Sequence, residues 1–350
     1  MYKQLIEKLK RDNSLAQNEY LRLMDIPKEQ QEYLFETARD IQQKSFGKGV
    51  YMRGLIELTN YCGNDCNYCG IRRSNSNIKR YRLTEDEVLE CCKIGNDLGF
   101  KTFVIQGGED GFFTTEKIEI IVKRIKDKYP ENAVTLSLGE ADADSYKRWF
   151  DAGADRYLLR HETATEDHYS KLHPEDMLLN ERLDCLKTLK EIGYQTGTGF
   201  MVGSPYQTNG GLSRDLKFIE EFDPQMIGIG PFISHKDTEY SGFDNGSVDK
   251  TLVLISILRI MKPKALLPAT TALGSATEDG RERGILAGAN VVMPNITPQR
   301  LRKLYSIYDG KINTGADTAE GMELLNKRIE KIGYKLLKDR GDYKEERENV

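Results

Sequence analysis

Residues 60–72 read Asn-Tyr-Cys-Gly-Asn-Asp-Cys-Asn-Tyr-Cys-Gly-Ile-Arg, which places cysteines at positions 62, 66 and 69. A structural zinc site needs four protein ligands, usually as two paired knuckles, and no second Cys-x-x-Cys or His-x3-His follows in the chain. An iron–sulfur cube binds thiolates at its corners, so three cysteines would leave one iron open for a substrate or cofactor. The spacing therefore favours a cluster on Cys62, Cys66 and Cys69, and a zinc site completed by a distant histidine is the alternative.

The remaining cysteines have the pattern of core residues. Cys91 and Cys92 share a helical face with Val88, and Cys185 shares one with Leu189. We therefore expect these thiols to behave as small buried hydrophobes. The set of six cysteines fits a reducing compartment better than a disulfide framework.

Length and charge narrow the class of protein. The chain has 350 residues, and an α/β barrel accommodates about 250 residues as one domain plus extensions. A formal net charge of −4 gives no general electrostatic reason to expect nucleic acid or a membrane surface as a partner. No apolar run approaches the roughly 20 residues of a membrane span, and residues 1–5 lack a signal-peptide core. We therefore expect a cytoplasmic protein without nucleic-acid or membrane partners.

From Val50 onward, short apolar or β-branched runs alternate with amphipathic helical segments. The predicted strands are eight in number and cover residues 51–58, 102–106, 133–138, 156–160, 196–201, 226–230, 265–269 and 291–293. This alternation predicts an α/β fold of the parallel (β/α)8 TIM-barrel type. An open doubly wound sheet is the runner-up, but no Gly-x-Gly-x-x-Gly follows the first strand.

This pattern predicts that the chain has three parts. Residues 1–48 form an N-terminal helical extension, with the periodicity broken at Pro27. Residues 49–315 form the barrel. Residues 316–350 form a C-terminal helix over 317–338 and a charge-rich tail that we expect to be frayed from Asp339.

In such a barrel, the chemistry lies at the C-terminal ends of the strands and in the loops that follow them. Several groups of polar residues occupy those positions. They are Gly107, Gly108, Glu109 and Asp110 after strand two, Ser137, Gly139 and Glu140 after strand three, Arg160, His161, Glu162 and Thr163 after strand four, and Met201, Pro231, Phe232, Thr270, Thr271, Met293, Pro294 and Asn295 after later strands.

Arg160 and Glu162 stand two positions apart, so their side chains point to one side of a strand. Charged side chains directed into a barrel mouth are costly unless they are paired or bound to a ligand. We interpret them as ligand-binding, and a structural ion pair between them is the alternative. Arg182, early in the next helix, adds a guanidinium fork for a carboxylate. The four histidines show no metal-ligand spacing, and we expect them in caps and loop packing.

The stretch from Arg72 to Arg82 is rich in basic residues. It is compatible with a docking surface for an anionic partner or an electron donor. A solvated loop explains the same composition equally well.

The Cys-x3-Cys-x2-Cys spacing, with Tyr68 directly before Cys69, resembles the cluster motif of the radical S-adenosylmethionine (SAM) enzymes. The resemblance implies one 4Fe-4S cluster on the three cysteines, with its fourth iron chelated by the amino and carboxylate groups of SAM. It implies that Tyr68 lies near the adenine. It also implies that one electron cleaves SAM to methionine and a 5′-deoxyadenosyl radical.

Gly107-Gly108-Glu109 looks like the motif with which the same family binds the methionyl amino group of SAM. Glycines expose backbone groups to a ligand at close range, and the position one strand after the cysteine loop strengthens a motif that is weak alone. The residues that we assign to cofactor binding are Tyr68, Gly107, Gly108, Glu109, Ser137, Arg160, Glu162, Arg182, Met201 and Tyr305.

Further segments are similar to the HydE family of FeFe-hydrogenase maturases. They span most of the chain in order, and they include residues 53–57, 68–73, 136–140, 157–164, 171–174, 199–203, 230–233 and 267–274. The resemblance implies a monomeric enzyme in assembly of the di-iron site of the hydrogenase H-cluster. Its substrate would be small and organometallic or derived from an amino acid, such as a cysteine-bound iron carbonyl cyanide species that a partner maturase delivers.

The same resemblance carries two further expectations. A ferredoxin or flavodoxin would donate the electron, and other hydrogenase maturases would be partners. Thr270, Thr271, Met293 and Tyr305 match family positions that line the cavity or contact SAM and substrate. Hydroxyl groups can orient an anion, and a methionine supplies an apolar wall.

Other functions stay open. Methylornithine synthase and biotin synthase share the first half of the motifs. Biotin-synthase-like chemistry draws sulfur from a second cluster, but no cysteine lies beyond Cys185, so we predict one cluster and no sulfur donation. An iron–sulfur electron-transfer protein is another class, although a ferredoxin binds each cube through four cysteines.

Overall fold

The computed structural model describes residues 1–344. The α-helices are numbered α1 to α14 along the chain. They cover Tyr2–Asp12, Gln17–Met24, Gln31–Phe46, Glu85–Asp97, Thr115–Lys128, Ala143–Asp151, Glu166–Leu172, Leu179–Ile192, Asn209–Phe222, Val248–Met261, Thr271–Ala276, Gly280–Leu286, Gln299–Arg302 and Met322–Lys331. Helices α1 to α3 lie outside the barrel, where α3 packs against α10 and α2 packs against α9. Within residues 1–344, no helix has the length and apolar character that a membrane span needs.

The strands are numbered β1 to β11 in the same way. They cover Gly49–Met52, Gly54–Thr59, Thr102–Gly107, Ala133–Ser137, Arg156–Leu158, Gln195–Thr198, Met201–Val202, Met226–Ile227, Gly230–Pro231, Val291–Val292 and Lys335–Leu337. The main sheet is parallel and has the order β2-β3-β4-β5-β6-β8, while β10-β1-β11 form a second sheet. Isolated bridges from Met226 to Leu266 and from Pro268 to Val291 join β8 to β10, so the ladder closes around a barrel. The predicted (β/α)8 TIM-type fold is confirmed.

Four predicted strands differ from the observed ones. Those over 196–201 and 226–230 each divide in two, the former into β6 and β7 and the latter into β8 and β9. The first, over 51–58, is interrupted at Arg53 between β1 and β2, and this break passes the chain from one sheet to the other. The strand predicted over 265–269 is wrong as a regular strand, because this segment forms only the isolated bridges of Leu266 and Pro268. Pro268 has no N–H to donate to a ladder, which weakens pairing there.

Side chains alternate between the two faces of the barrel wall. On β2, Ile56 and Leu58 are fully buried in the main apolar core, together with Val88 of α4. Glu57 stands between them and therefore points to the other face, into the barrel. Thr84 caps α4 by accepting from the N–H of Glu87, whose side chain bonds back to the N–H of Thr84.

The C-terminal segment differs from its prediction. The helix predicted over 317–338 is wrong in extent, because α14 ends at Lys331 and β11 follows and pairs with β1. Gly333 lies between them at φ 81, a left-handed conformation in which glycine ends a helix at little cost. The end of the chain thus adds a strand to the barrel wall.

The described part of the tail from Asp339, which we predicted to be frayed, instead makes ion pairs that close the lower end of the barrel. Arg156 Nη2 lies 2.5 Å from Asp342 Oδ1, and Arg340 Nη2 lies 2.7 Å from Asp155 Oδ1. The side chain of Arg156 is fully buried, so this contact supplies the opposite charge that its burial requires. Residues 345–350 of the predicted tail lie outside the described residues.

Candidate active site

The cysteine loop follows β2 and is held together by Arg80. The guanidinium of Arg80 donates to the backbone carbonyls of Ile71, Arg72 and Asn75 at 2.7, 2.6 and 3.0 Å, and also to that of Asn60. These carbonyls lie before and after the three cysteines. One planar group with five N–H donors therefore ties the two ends of the loop to each other.

Other members of the basic stretch also have structural partners. Arg72 Nε lies 2.8 Å from Asp65 Oδ1 inside the loop. Arg82 donates twice to Asp110, at 2.7 and 2.8 Å. The docking surface considered for this stretch therefore carries fewer free charges than its composition indicates. Its exposed basic members are Arg73 and Lys79.

Cys62, Cys66 and Cys69 carry free, half-buried thiols on this loop. Burial raises the pKa of all three thiols, to about 12 for Cys69. Within residues 1–344, no three His, Cys, Asp or Glu side chains stand close enough to hold a single metal ion.

The glycine-rich loop after β3 lies directly against the cysteine loop. The N–H of Gly63 donates to the carbonyl of Glu109 at 2.7 Å. A Cβ at Gly108 would lie 2.2 Å from the carbonyl oxygen of Tyr61 and 2.7 Å from Cβ of Cys62, closer than atoms can approach. Only glycine fits at position 108, and this close contact brings the two sequence motifs together.

Gly107 and Ser137 end the neighbouring strands β3 and β4 at the same edge of the sheet. The side chain of Glu109 crosses to the next loop and lies over Gly139, where a Cβ would be 2.0 Å from Cγ of Glu109. Gly139 has φ 83, which also favours glycine. The loops after strands β2, β3 and β4 therefore meet in one place.

Arg160 and Glu162 stand beside each other after β5, with Nη2 and Oε2 2.9 Å apart. The ion pair that we considered as the alternative thus forms. However, neither atom makes an aligned hydrogen bond, and Arg160 Nε is also buried without a partner. A buried N–H without a partner, such as that of Arg160 Nε, costs about 1–3 kcal/mol, which a polar ligand would relieve.

Arg182 on α8 is buried and lies 2.6 Å from Glu140, measured from Nε to Oε1. Although burial by itself lowers the pKa of Arg182, Tyr169 and Glu140 raise it above its ordinary value. Burial raises the pKa of the Glu140 carboxyl. Arg182 is therefore a buried cation at the barrel mouth, suited to a carboxylate, and Glu140 is its partner in the structure.

Tyr68 belongs to a small apolar cluster next to the cysteine loop. The other members are Leu172, Met201, Phe232 and Tyr240. The hydroxyl of Tyr68 lies 3.3 Å from Nε2 of His173. Burial lowers the pKa of His173 to about 3, so this ring is neutral near pH 7. The cluster forms an apolar wall with one polar edge.

The predicted cavity residues fall at different depths. Tyr305 is buried near the cysteines and accepts a hydrogen bond from Nε2 of Gln106 at 3.2 Å. Thr270 carries a buried hydroxyl without a partner, and Thr271 begins α11. Met293 instead packs on an apolar cluster that includes Tyr51 of β1, at the lower end of the barrel. The structure therefore does not bring Met293 into the group at the mouth.

Glu57 and Lys311 were missed by sequence reasoning. Glu57 Oε1 and Lys311 Nζ lie 2.6 Å apart, and their side chains are 0% and 7% exposed. The ammonium also lies 5.4 Å from the centre of the Tyr305 ring. A charged residue within an otherwise apolar strand could have identified Glu57, whereas no local signal identifies Lys311. The four histidines are buried, as expected for packing roles.

Known proteins resemble this chain in sequence and in fold. A sequence profile described as Radical SAM superfamily matches residues 56–219. The FeFe hydrogenase maturase subunit HydE of Thermotoga maritima is 46% identical over 319 residues, which cover 91% of this chain and 91% of that protein. A crystal structure of methylornithine synthase (PylB) has a TM-score of 0.82 at 27% identity, and the match covers 95% of this chain and 97% of that one. A crystal structure of HydG, a maturase of the FeFe hydrogenase, has a TM-score of 0.80, and the match covers 98% of this chain and 77% of that one. Its identity to this chain is 21%, so this likeness supports the fold alone.

Proposed function

This chain belongs to the radical SAM superfamily, and on that premise we propose that it is a HydE-type maturase that acts in assembly of the di-iron site of FeFe hydrogenase. It is a radical SAM enzyme, so its family implies a 4Fe-4S cluster and SAM. The finer proposal is that it binds one such cluster, through Cys62, Cys66 and Cys69. The 46% identity to a HydE protein over most of both chains supports the maturase role.

One geometric observation carries the proposal. The loop that carries the three free thiols packs against the glycine-rich loop, and the N–H of Gly63 donates to the carbonyl of Glu109. The Arg160–Glu162 ion pair, with Arg160 Nε buried and without a hydrogen-bond partner, lies at the same end of the barrel. The donor set therefore fits a thiolate-bound cluster with a polar, charged ligand beside it.

A 4Fe-4S cluster held by Cys62, Cys66 and Cys69 would supply the electron for reductive cleavage of SAM. The chain's own residues prepare this step. The backbone of residues 107–109 offers carbonyl and N–H groups to the amino end of SAM, and Arg182 offers a cation to its carboxylate. Glu162 accepts hydrogen bonds from the polar portions of SAM, and Arg160 donates hydrogen bonds to them. Tyr68 and its apolar cluster cover the adenine side.

The enclosed barrel has a second task, which is to keep water and competing hydrogen donors away from the reaction. Arg156 with Asp342 closes the lower end, and the apolar cluster around Met293 forms the floor. Thr270 presents an unpartnered hydroxyl toward a substrate. This arrangement supports a small organometallic or amino-acid-derived substrate held between floor and mouth.

The role as a maturase implies other maturases and a substrate as partners. We further propose a ferredoxin or flavodoxin as electron donor, a cysteine-bound iron carbonyl cyanide species as substrate, and a monomer as the working form. Free cysteines at all six positions support a cytoplasmic location.

Anaerobic reconstitution tests the proposal. Protein loaded with iron and sulfide is mixed with SAM and dithionite, and the nucleoside product is measured by mass spectrometry. We expect 5′-deoxyadenosine, with more of it when the cysteine-bound iron carbonyl cyanide species is present. Loaded protein that releases no nucleoside would contradict the radical SAM function at this site.

Methylornithine synthase is the second candidate, because its structure matches this fold over nearly the whole chain at 27% identity. Incubation of the same loaded protein with lysine separates the two. Formation of methylornithine would replace the maturase proposal, while turnover of the iron species alone would support it.

A further inference from the structure

The chain makes an unusual turn at Glu162. Its φ is +63, a left-handed conformation that is strained for a residue with a side chain. The N–H of Thr163 donates to the carbonyl of His161 at 2.8 Å, which closes a three-residue turn with Glu162 at its centre. Turns of this kind persist only where their surroundings hold them.

Thr198, on the neighbouring strand β6, holds the first side of the turn. Its hydroxyl oxygen accepts from the backbone N–H of His161 at 3.2 Å and lies 2.9 Å from Nδ1 of the same ring. A hydroxyl can either donate to Nδ1 or accept from it, and in both cases this contact holds the ring of His161 against β6. The other ring nitrogen, Nε2, faces α9 and has no hydrogen-bond partner.

Asp215, on α9, touches both sides of the turn. Its Oδ1 accepts from the N–H of Ala164 at 2.5 Å and lies 3.5 Å from Nε2 of His161. The side chains of His161 and Asp215 are both 0% exposed, and Oδ2 of Asp215 has no hydrogen-bond partner. A buried carboxylate is costly, and here its contacts are made to the two flanks of one strained residue.

We propose that Thr198, His161 and Asp215 are positioning residues that hold the turn at Glu162 and so direct its carboxylate into the barrel mouth for SAM. The inference rests on the proposed function, because it takes Glu162 as a contact of SAM. None of the three side chains needs to touch SAM. They act through the backbone of residues 161–164, which they fix from two different elements.

A double-mutant cycle tests the inference. SAM affinity is measured by isothermal titration calorimetry on reconstituted protein carrying Glu162→Ala, Asp215→Ala or both substitutions. We expect Asp215→Ala to weaken SAM binding about 10-fold, as loss of an outer partner typically does. In the Glu162→Ala background, Asp215→Ala should weaken it no further, because the carboxylate that it positions is gone.

Conservative and matched variants sharpen the test. Asp215→Asn keeps an acceptor for the N–H of Ala164 and should bind SAM more tightly than Asp215→Ala. Gln42→Ala removes a buried side chain that bonds to the carbonyl of Ala289 at 2.9 Å on the outer side of the barrel, and it should change stability but not SAM affinity. If Asp215→Ala does not fold, Thr198→Val, which keeps the shape of the side chain, takes its place with the same expectations.

The outcomes are distinguishable. Equal weakening by Asp215→Ala in both backgrounds, or unchanged SAM affinity with lowered stability, would overturn the positioning role and leave the proposed function standing. Unchanged SAM affinity in Glu162→Ala itself would overturn the contact and its positioning together. The proposed function as a whole fails only if the unaltered protein does not cleave SAM.

Discussion

Cys66 and Cys185 are both free cysteines near the barrel mouth, yet they should respond differently to substitution. Cys66→Ala removes one of three cluster ligands, so we expect no SAM cleavage in the reconstituted protein. Cys185 Sγ lies 3.8 Å from the carbonyl of Ala141 and also contacts the side chain of Tyr146. Cys185→Ala should therefore retain cleavage and lose about 1 kcal/mol of stability. Nucleoside production by the Cys66 variant would remove this residue from the cluster site.

Substitution of Glu162 separates ligand binding from stability. A glycine at this position should relieve backbone strain and at the same time remove a contact with SAM. Glu162→Gly relieves the strain of φ +63, which costs about 1–2 kcal/mol for a residue with a side chain. The variant should therefore unfold at an equal or higher temperature, while its SAM affinity falls by about 1–3 kcal/mol. Calorimetry provides both quantities. Glu239→Gly, at an exposed carboxylate near the loop, is the control and should leave SAM affinity unchanged. Normal SAM affinity in Glu162→Gly would reassign Glu162 to a structural pair.

At the scale of elements, the cysteine loop depends on Arg80, whose guanidinium joins carbonyls at its two ends. Arg80→Lys keeps the charge but cannot span these carbonyls, because an ammonium is a compact donor. We expect a loss of about 2–4 kcal/mol in the free energy of unfolding, the value of one or two charge-assisted hydrogen bonds. The iron bound after reconstitution should also fall. Urea unfolding and iron assay measure the two effects.

The neighbouring Lys79 provides the control for this prediction, because its side chain is exposed. Lys79→Met removes a charge from the same stretch and should change neither iron content nor stability by more than about 0.5 kcal/mol. Equal behaviour of the two variants would show that the loop does not depend on the Arg80 contacts.

At the scale of the whole molecule, the C-terminal segment closes the barrel through Asp342. Although burial by itself raises it, Arg340 and Arg156 bring the pKa of Asp342 below its ordinary value. Its stabilising effect is therefore complete above the unfolded pKa of about 3.9 and is lost as pH falls through the lower folded value. Asp342→Asn should be less stable than the unaltered protein at pH 7, and the difference should shrink below about pH 4. Urea unfolding at pH 7, 5 and 3 measures it, and a difference that does not change with pH would contradict the ion-pair explanation.

The number of clusters is also a property of the whole molecule. Cys91, Cys92 and Cys185 lie on α4 and α8 outside the barrel wall, which leaves the three loop cysteines as cluster ligands. We therefore predict about four irons per chain. Iron quantification with electron paramagnetic resonance checks this. A reproducible excess with a second paramagnetic signal, or sulfur transfer to a product, would favour biotin-synthase-like chemistry instead.

The sequence by itself determined the barrel, the cysteine loop and the glycine-rich loop. Each of these rests on a short-range pattern: strand and helix periodicity, the spacing of Cys62, Cys66 and Cys69, and glycines where the backbone needs them. Even the contact between the two loops could be expected, because neighbouring parallel strands end at the same edge of a sheet. Such patterns involve residues close together in the sequence, so they can be recognised without knowledge of the fold.

Only the tertiary structure decided the partners of the buried charges and the role of the C-terminus. Glu57 meets Lys311 across 254 positions, and Arg156 meets Asp342 across 186. Asp215 reaches the turn at Glu162 from a helix whose own sequence shows no sign of that contact. Ion pairs and caps of this kind depend on distance in space and not on separation along the chain. A local pattern shows that a buried charge needs a partner, and only the folded barrel decides which residue supplies it.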